Sequence, residues 1–253
     1  MRSWVRGLVG TTAAVAIAAA GVYVGGPWLL ERTGLGETAL PWGPECAVRL
    51  GSETAGLTLE EARRATTAVA LEARGDGSAV PEADTAGIDP AVLDRLREGP
   101  AGDPGPVLTC RAAPADGLAA EELTESGLTP RAERVRTAMA EVFGEQSLGG
   151  FEPGGVSDGH GSDSAHYDGR AIDVFYRPVD EENRRAGWLL AHWLVAHADE
   201  LDLAVVIFDD RIWSASFSQV GWRPYVSGDT GNDILQHRDH VHVDVQRGED
   251  GAA

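Results

Sequence analysis

The chain has 253 residues, 43% hydrophobic and 24% charged, with 32 Gly and 13 Pro, a globular composition that excludes a fibrous or wholly disordered chain and predicts one or two domains. Its 21 basic side chains, all arginine, are outnumbered by 40 Asp plus Glu, and the formal charge of -19 argues against a nucleic-acid partner and against an anionic membrane surface.

Residues 1–30 read as a signal anchor or a signal peptide. Arg2 and Arg6 precede an uncharged run over residues 7–30, and charge returns at Glu31 and Arg32. As a helix that run reaches about 36 Å, enough to span a hydrocarbon core of about 30 Å. Ala18-Ala19-Ala20-Gly21 supplies the small residues that a cleavable signal would need. Arginines on the N-terminal flank leave the rest of the chain outside the cytoplasm in both cases, anchored in the cell membrane through this helix or secreted. Thiols oxidise there, so the only two cysteines, Cys46 and Cys110, are expected to form one disulfide, which chain-entropy arguments value at about 4 kcal/mol.

Residues 31–126 are acidic and rich in turn formers. Leu59, Ala62, Thr66, Val69, Ala70 and Ala73 recur at helical spacing and predict a helix over about 57–74; a shorter helix is expected over 90–97. Residues 75–78 and 99–106 read as loops. The segment contains no histidine and is expected to be a small helical, disulfide-closed subdomain or spacer without chemistry of its own.

Residues 127–247 have a different texture. Thr129 as cap and Pro130 at the first helical position begin a helix whose apolar face is Val135, Ala138, Met139, Val142 and Phe143. A second helix should start at Asp180, with Glu181 and Glu182 in its first turn, and run to about residue 200. Strand-like runs cover 170–176, 203–208, 211–216 and 240–246. The expected fold class is therefore α+β, a compact C-terminal domain of about two helices on an antiparallel sheet. Residues 248–253 are expected to be a disordered tail.

All seven histidines fall in this second region. His160, His166, His237, His240 and His242 lie in two short polar segments. Strand alternation over 240–245 sends Val241, Val243 and Val245 to one face and His240, His242 and Asp244 to the other, a core face and a site face. Imidazole and carboxylate are ordinary zinc ligands, and His166, Asp173 and His242 could supply three of them. Surface histidines in polar loops, or a pH-sensitive cluster, account for the same pattern.

The segment Ser164-Ala-His166-Tyr-Asp-Gly169-Arg-Ala171-Ile-Asp173 resembles the Ser-x-His-x-x-Gly-x-Ala-x-Asp pattern of the zinc D-alanyl-D-alanine carboxypeptidase and LAS-type metallopeptidase superfamily. Asp239-His-Val-His242 is similar to that superfamily's acidic-x-x-His motif. Arg211-Ile-Trp213 and Gly221-Trp222-Arg223-Pro224 look like an exported, cell-wall branch of it. The resemblance covers about residues 127–247 and implies a LAS/Hedgehog-like fold. By the resemblance, His166, Asp173 and His242 bind Zn²⁺, Asp239 is the general base, and His240 and His237 orient a ligand or stabilise an oxyanion.

One position departs from the pattern. Many relatives carry an aromatic-Arg step upstream of the first zinc histidine, where this chain has Phe151-Glu152. Either Arg170 or His237 replaces that cation, or catalysis is weak or absent. Arg170, Ser164 and Trp222 are the candidate substrate contacts, although Ser164 is read first as hydrogen bonding within its loop and Trp222 suits the core equally. His192 and His197, five apart on a helix, are expected to be surface or packing residues. Trp188 and Trp193 are expected in the core. Strict alternation puts Asp239 on the face opposite His242, so its role as base requires a bend before the strand.

The resulting expectation is a zinc-dependent peptidase that cleaves an amide bond in peptidoglycan stem peptides. The alternative is a non-catalytic, zinc-stabilised module that binds a cell-wall peptide or a partner protein.

Overall fold

The computed structural model describes residues 38, 43–76, 82–99 and 105–249. The anchor or signal read over 1–30 lies outside them. Among the described residues no helix is long and apolar enough to cross a membrane.

The chain opens with a hairpin of β1 (Cys46–Leu50) and β2 (Glu53–Leu57). Helix α1 (Leu59–Ala73) follows, started by a capping box in which Thr58 and Glu61 satisfy each other's backbone N–H. Thr66 sits fully buried in its apolar stripe because its hydroxyl donates to the Ala62 carbonyl at 2.8 Å. A single turn, α2 (Glu82–Thr85), and α3 (Pro90–Glu98), capped by Asp89, lead to β3 (Leu108–Cys110). These strands form a small antiparallel sheet in the order β2-β1-β3, with Cys46 directly opposite Cys110. The two are disulfide-bonded.

The second region starts as its caps predict. Thr129 and Asp180 accept hydrogen bonds from Ala132 and Asn183 at the starts of α4 (Pro130–Phe143) and α5 (Glu181–Ala196). Six strands make its antiparallel sheet: β4 (Leu148–Gly149), β5 (Ala171–Phe175), β6 (Leu203–Phe208), β7 (Arg211–Ser214), β8 (Arg223–Pro224) and β9 (His240–Val245). Their order is β4-β5-β9-β6-β7-β8. The two termini of the domain motif, β5 and β9, are thus neighbours. Helices α4 and α5 pack on this sheet, and Val241, Val243 and Val245 are buried in the shared core, each worth about 1.5–3 kcal/mol of transfer free energy.

The described part of residues 31–126 is disulfide-closed as expected but is not purely helical. It contains the three-stranded sheet, and α1 and β3 pack on α5 in one continuous apolar core. The Leu108 and Cys110 carbonyls accept from the indoles of Trp222 and Trp213 at 2.9 and 3.1 Å, and the Val107 N–H donates to His192 Nε2 at 3.0 Å. Backbone groups at an unpaired sheet edge need partners, and the second region supplies them. The tail read as disordered from residue 248 is held at its start. Glu249 bridges to Ala119, its N–H donating to the Leu118 carbonyl at 2.8 Å; residues 250–253 lie outside the description.

Candidate metal centre

Antiparallel pairing of β5 with β9 puts Asp173 directly opposite His242 and Phe175 opposite His240. Directly opposed residues share a sheet face, so the carboxylate and two imidazoles stand on the side away from the valines. His166 reaches them from a one-turn 3-10 helix, Ala165–Asp168, just before β5. Ser164 caps that turn, its hydroxyl accepting from the His166 N–H. Gly169 closes it with φ 64°, and a β-carbon there would lie 2.4 Å from the Gly127 carbonyl oxygen. The motif's serine and glycine therefore build the turn that aims the histidine.

Three atoms converge. His166 Nε2 lies 3.1 Å from His242 Nδ1 and 3.3 Å from Asp173 Oδ1, and His242 Nδ1 lies 3.1 Å from the same oxygen. Ligand atoms at zinc distances of about 2.0–2.2 Å in a tetrahedral shell are separated by about 3.3–3.5 Å, so the trio has the spacing of a metal half-shell. The outer nitrogens each face an oxygen, as metal ligands' outer nitrogens commonly do. His166 Nδ1 donates to the Gly150 carbonyl at 2.7 Å, which leaves Nε2 its lone pair. His242 Nε2 faces Asp244 Oδ2 at 3.6 Å. Gly150 has φ 78°, and a β-carbon on it would come within 2.3 Å of the His166 ring. A second trio of ligand atoms, from His160, His166 and Asp173, lies within 4.8 Å of one another.

The electrostatics follow from this packing. Burial pushes the Asp173 carboxyl up, but hydrogen bonds from His166 and His242 hold it well below the usual carboxylate range. Burial works against the charged form of His242, yet its bonds with Asp173 and Asp244 push it up to about 9. For His237, burial and the neighbouring His242 and His240 outweigh the opposing pull of Asp173 and of the Leu235 backbone, and it falls to about 3. Its ring stands between Tyr225 (4.9 Å) and His240 (4.7 Å), and its Nδ1 has no hydrogen-bond partner.

Asp239 lies just before β9, where strand alternation no longer applies. The preceding turn, with His237 at φ 55°, supplies the required bend. Its two oxygens are both engaged. Oδ1 accepts from His240 Nδ1 at 2.7 Å and Oδ2 from Arg177 Nε at 2.6 Å. These bonds outweigh burial and keep the carboxyl below its ordinary range, hence ionised. His240 is left with Nε2 turned toward the trio, 3.7 Å from Asp173 Oδ1. The structure thus gathers His166, Asp173, His242, His240, His237 and Asp239 at one place, but the group with a free lone pair beside the trio is His240.

Two proposed substrate contacts fall elsewhere. Arg170 is committed to Asp168 and to the Val245 carbonyl at 2.8 Å; directly before β5, its side chain ties the strand to its neighbour. Trp222 packs edge-on against Trp188 at 5.1 Å and donates to Leu108, a core role. Glu152 is exposed. His192 is buried in α5, a packing residue.

Sequence reading assigned no role to Arg177, Asp244 or Gly150. Arg177 sits over the Phe175 ring at 4.1 Å, and only the fold brings it across to Asp239. His160 was visible as part of the histidine cluster, but nothing in its spacing attached it to His166.

The profile of one family, described as VldE, C-terminal domain, matches residues 124–237. That span includes His160, His166 and Asp173 and stops before Asp239, His240 and His242. No curated protein and no solved structure matches the chain.

Proposed function

We propose that this chain is a zinc-dependent peptidase acting on the peptide stems of peptidoglycan outside the cytoplasm. The observation that carries the reading is the convergence of His166 Nε2, Asp173 Oδ1 and His242 Nδ1 at 3.1–3.3 Å, with an Asp239–His240 pair beside them. Two imidazoles and a carboxylate, with His242 giving up its proton on binding, would form an open three-ligand set of the kind that catalytic zinc uses. A zinc ion held there supplies Lewis acidity for an amide carbonyl at neutral pH.

The chain's own residues supply the proton handling. Asp239 holds the Nδ1 proton of His240, fixing the tautomer in which Nε2 can take a proton from the attacking water and return it to the leaving amine. Arg177 fixes the carboxylate in turn. Asp239 thus acts through His240 rather than on the water directly, because its oxygens are already engaged. His237 contributes a neutral ring against His240. The substrate class rests on the resemblance of the two motifs to the D-alanyl-D-alanine carboxypeptidase superfamily. The compartment rests on the arginine-flanked apolar run, with a Cys46–Cys110 disulfide that suits oxidising surroundings.

Digestion of purified peptidoglycan by the zinc-loaded chain, with muropeptides separated by mass, tests the reading. Fragments shortened at a stem amide are expected, and Asp239→Asn should retain zinc yet lose on the order of a hundredfold in rate. No release from any stem substrate would move the reading to a metal-stabilised binding module, which the exposed anion at Glu152, in place of a carbonyl-polarising arginine, favours.

A further inference from the structure

The loop over residues 150–163 brings a fourth candidate ligand to the cluster. His160 stacks on His166 with ring centroids 4.0 Å apart and planes 24° from parallel, and its ligand atom lies within 4.8 Å of those of His166 and Asp173. Its backbone is pinned at both ends of the residue. The Tyr167 hydroxyl accepts from the His160 N–H at 3.0 Å and donates to its carbonyl at 2.7 Å. Tyr167 belongs to the same turn as His166, so the structure that aims one histidine also holds the other over it. Three glycines of the loop have open space around them. Gly154 and Gly159 adopt positive φ, and a β-carbon at either, or at Gly161, would meet nothing within 4 Å. A shift of at most about 1.5 Å brings ligand atoms that lie within 4.8 Å of one another to the spacing of tetrahedral neighbours.

Building on the metal-site reading above, we propose that His160 is a displaceable fourth metal ligand that closes the resting site, so that a substrate or an added ligand must first dislodge it. Three protein ligands leave a position open for chemistry, whereas four make a closed, structural shell. His160 can supply either state because it is half-buried on a glycine-rich loop while the other three ligands are buried on a sheet and its adjoining turn.

Titration of Co²⁺ into the metal-free full chain, followed by visible absorption, tests this. The wild type should bind Co²⁺ on the order of tenfold or more tightly than His160→Ala, a loss at least as large as that of an outer metal partner. Millimolar imidazole should alter the cobalt spectrum of His160→Ala and leave that of the wild type unchanged. Tyr167→Phe keeps the imidazole ring but removes its pin, and should respond to imidazole in the same direction as His160→Ala; it carries the test if the alanine variant loses its fold by circular dichroism. Equal affinity and equal imidazole response in the wild type and the folded variants would overturn the proposal while leaving the three-ligand site standing. Failure of the wild type to bind Co²⁺ would overturn the metal reading and this inference with it.

Discussion

His192 in the α5 core and His242 on the polar face of β9 are about equally buried, at 1% and 7% exposure, and they end in opposite states. His192 accepts one hydrogen bond from Val107, its Nδ1 has no partner, and burial alone pushes it down to about 3. His242 meets the same desolvation but stands beside Asp173 and Asp244, and is pushed up to about 9. Burial by itself makes an imidazole a neutral packing group, whereas burial with a fixed carboxylate makes a nitrogen that competes strongly for a cation, whether proton or metal. The helix core and the sheet face use the same side chain for these two ends.

The comparison breaks most completely at Asp173. Asp173→Ala should abolish stoichiometric zinc binding, read by metal analysis of the dialysed protein, and in the metal-free protein should lower the pKa of His242, read by NMR titration. Retention of one zinc per chain would remove Asp173 from the ligand set. The disulfide comes next, because it anchors the sheet that feeds the Val107 N–H to His192. The folded chain should show no free thiol, and replacing both cysteines by alanine should cost about 4 kcal/mol in urea unfolding.

Gly150→Ala sharpens the sheet side. A methyl placed 2.3 Å from the His166 ring must displace it, so zinc affinity should fall on the order of tenfold to a hundredfold while far-ultraviolet dichroism stays unchanged. Unaltered affinity would show that the carbonyl of Gly150 does not set the ring. The helix side is tested by acid. The folded pKa of His192 lies below its ordinary value of 6.5, so the unfolded chain binds more protons there, and stability is full above about pH 6.5 and falls as pH drops toward 3. Between pH 6.5 and 5 this one group should cost about 2 kcal/mol. His192→Gln, which keeps an acceptor for Val107, should flatten that part of the urea-midpoint profile relative to wild type.

Local signals carried a large part of the architecture. The capping residues Thr129 and Asp180 marked both helix starts of the second region, and alternation over 240–245 separated the valine face from the histidine face, because caps and pleat are consequences of the nearest few residues. The sheet of residues 46–110 was missed. Cys46–Leu50 and Glu53–Leu57 carry few β-branched residues, and the third strand, Leu108–Cys110, is tied in by a disulfide to Cys46 and by hydrogen bonds from Trp213 and Trp222 far along the chain.

The sequence by itself determined which residues are able to bind a metal, since donor chemistry belongs to the side chain, and it placed His166 and Asp173 in a motif whose glycine and serine build a turn and His242 in a second motif. Only the tertiary structure decided how those donors are used. Pairing of β5 with β9 closed a gap of 69 residues between Asp173 and His242, Arg177 and His240 took both oxygens of Asp239, and Tyr167 hung His160 over His166. Hydrogen-bond occupancy and approach distance are properties of neighbours in space, and neighbours that distant in sequence leave no local pattern to read.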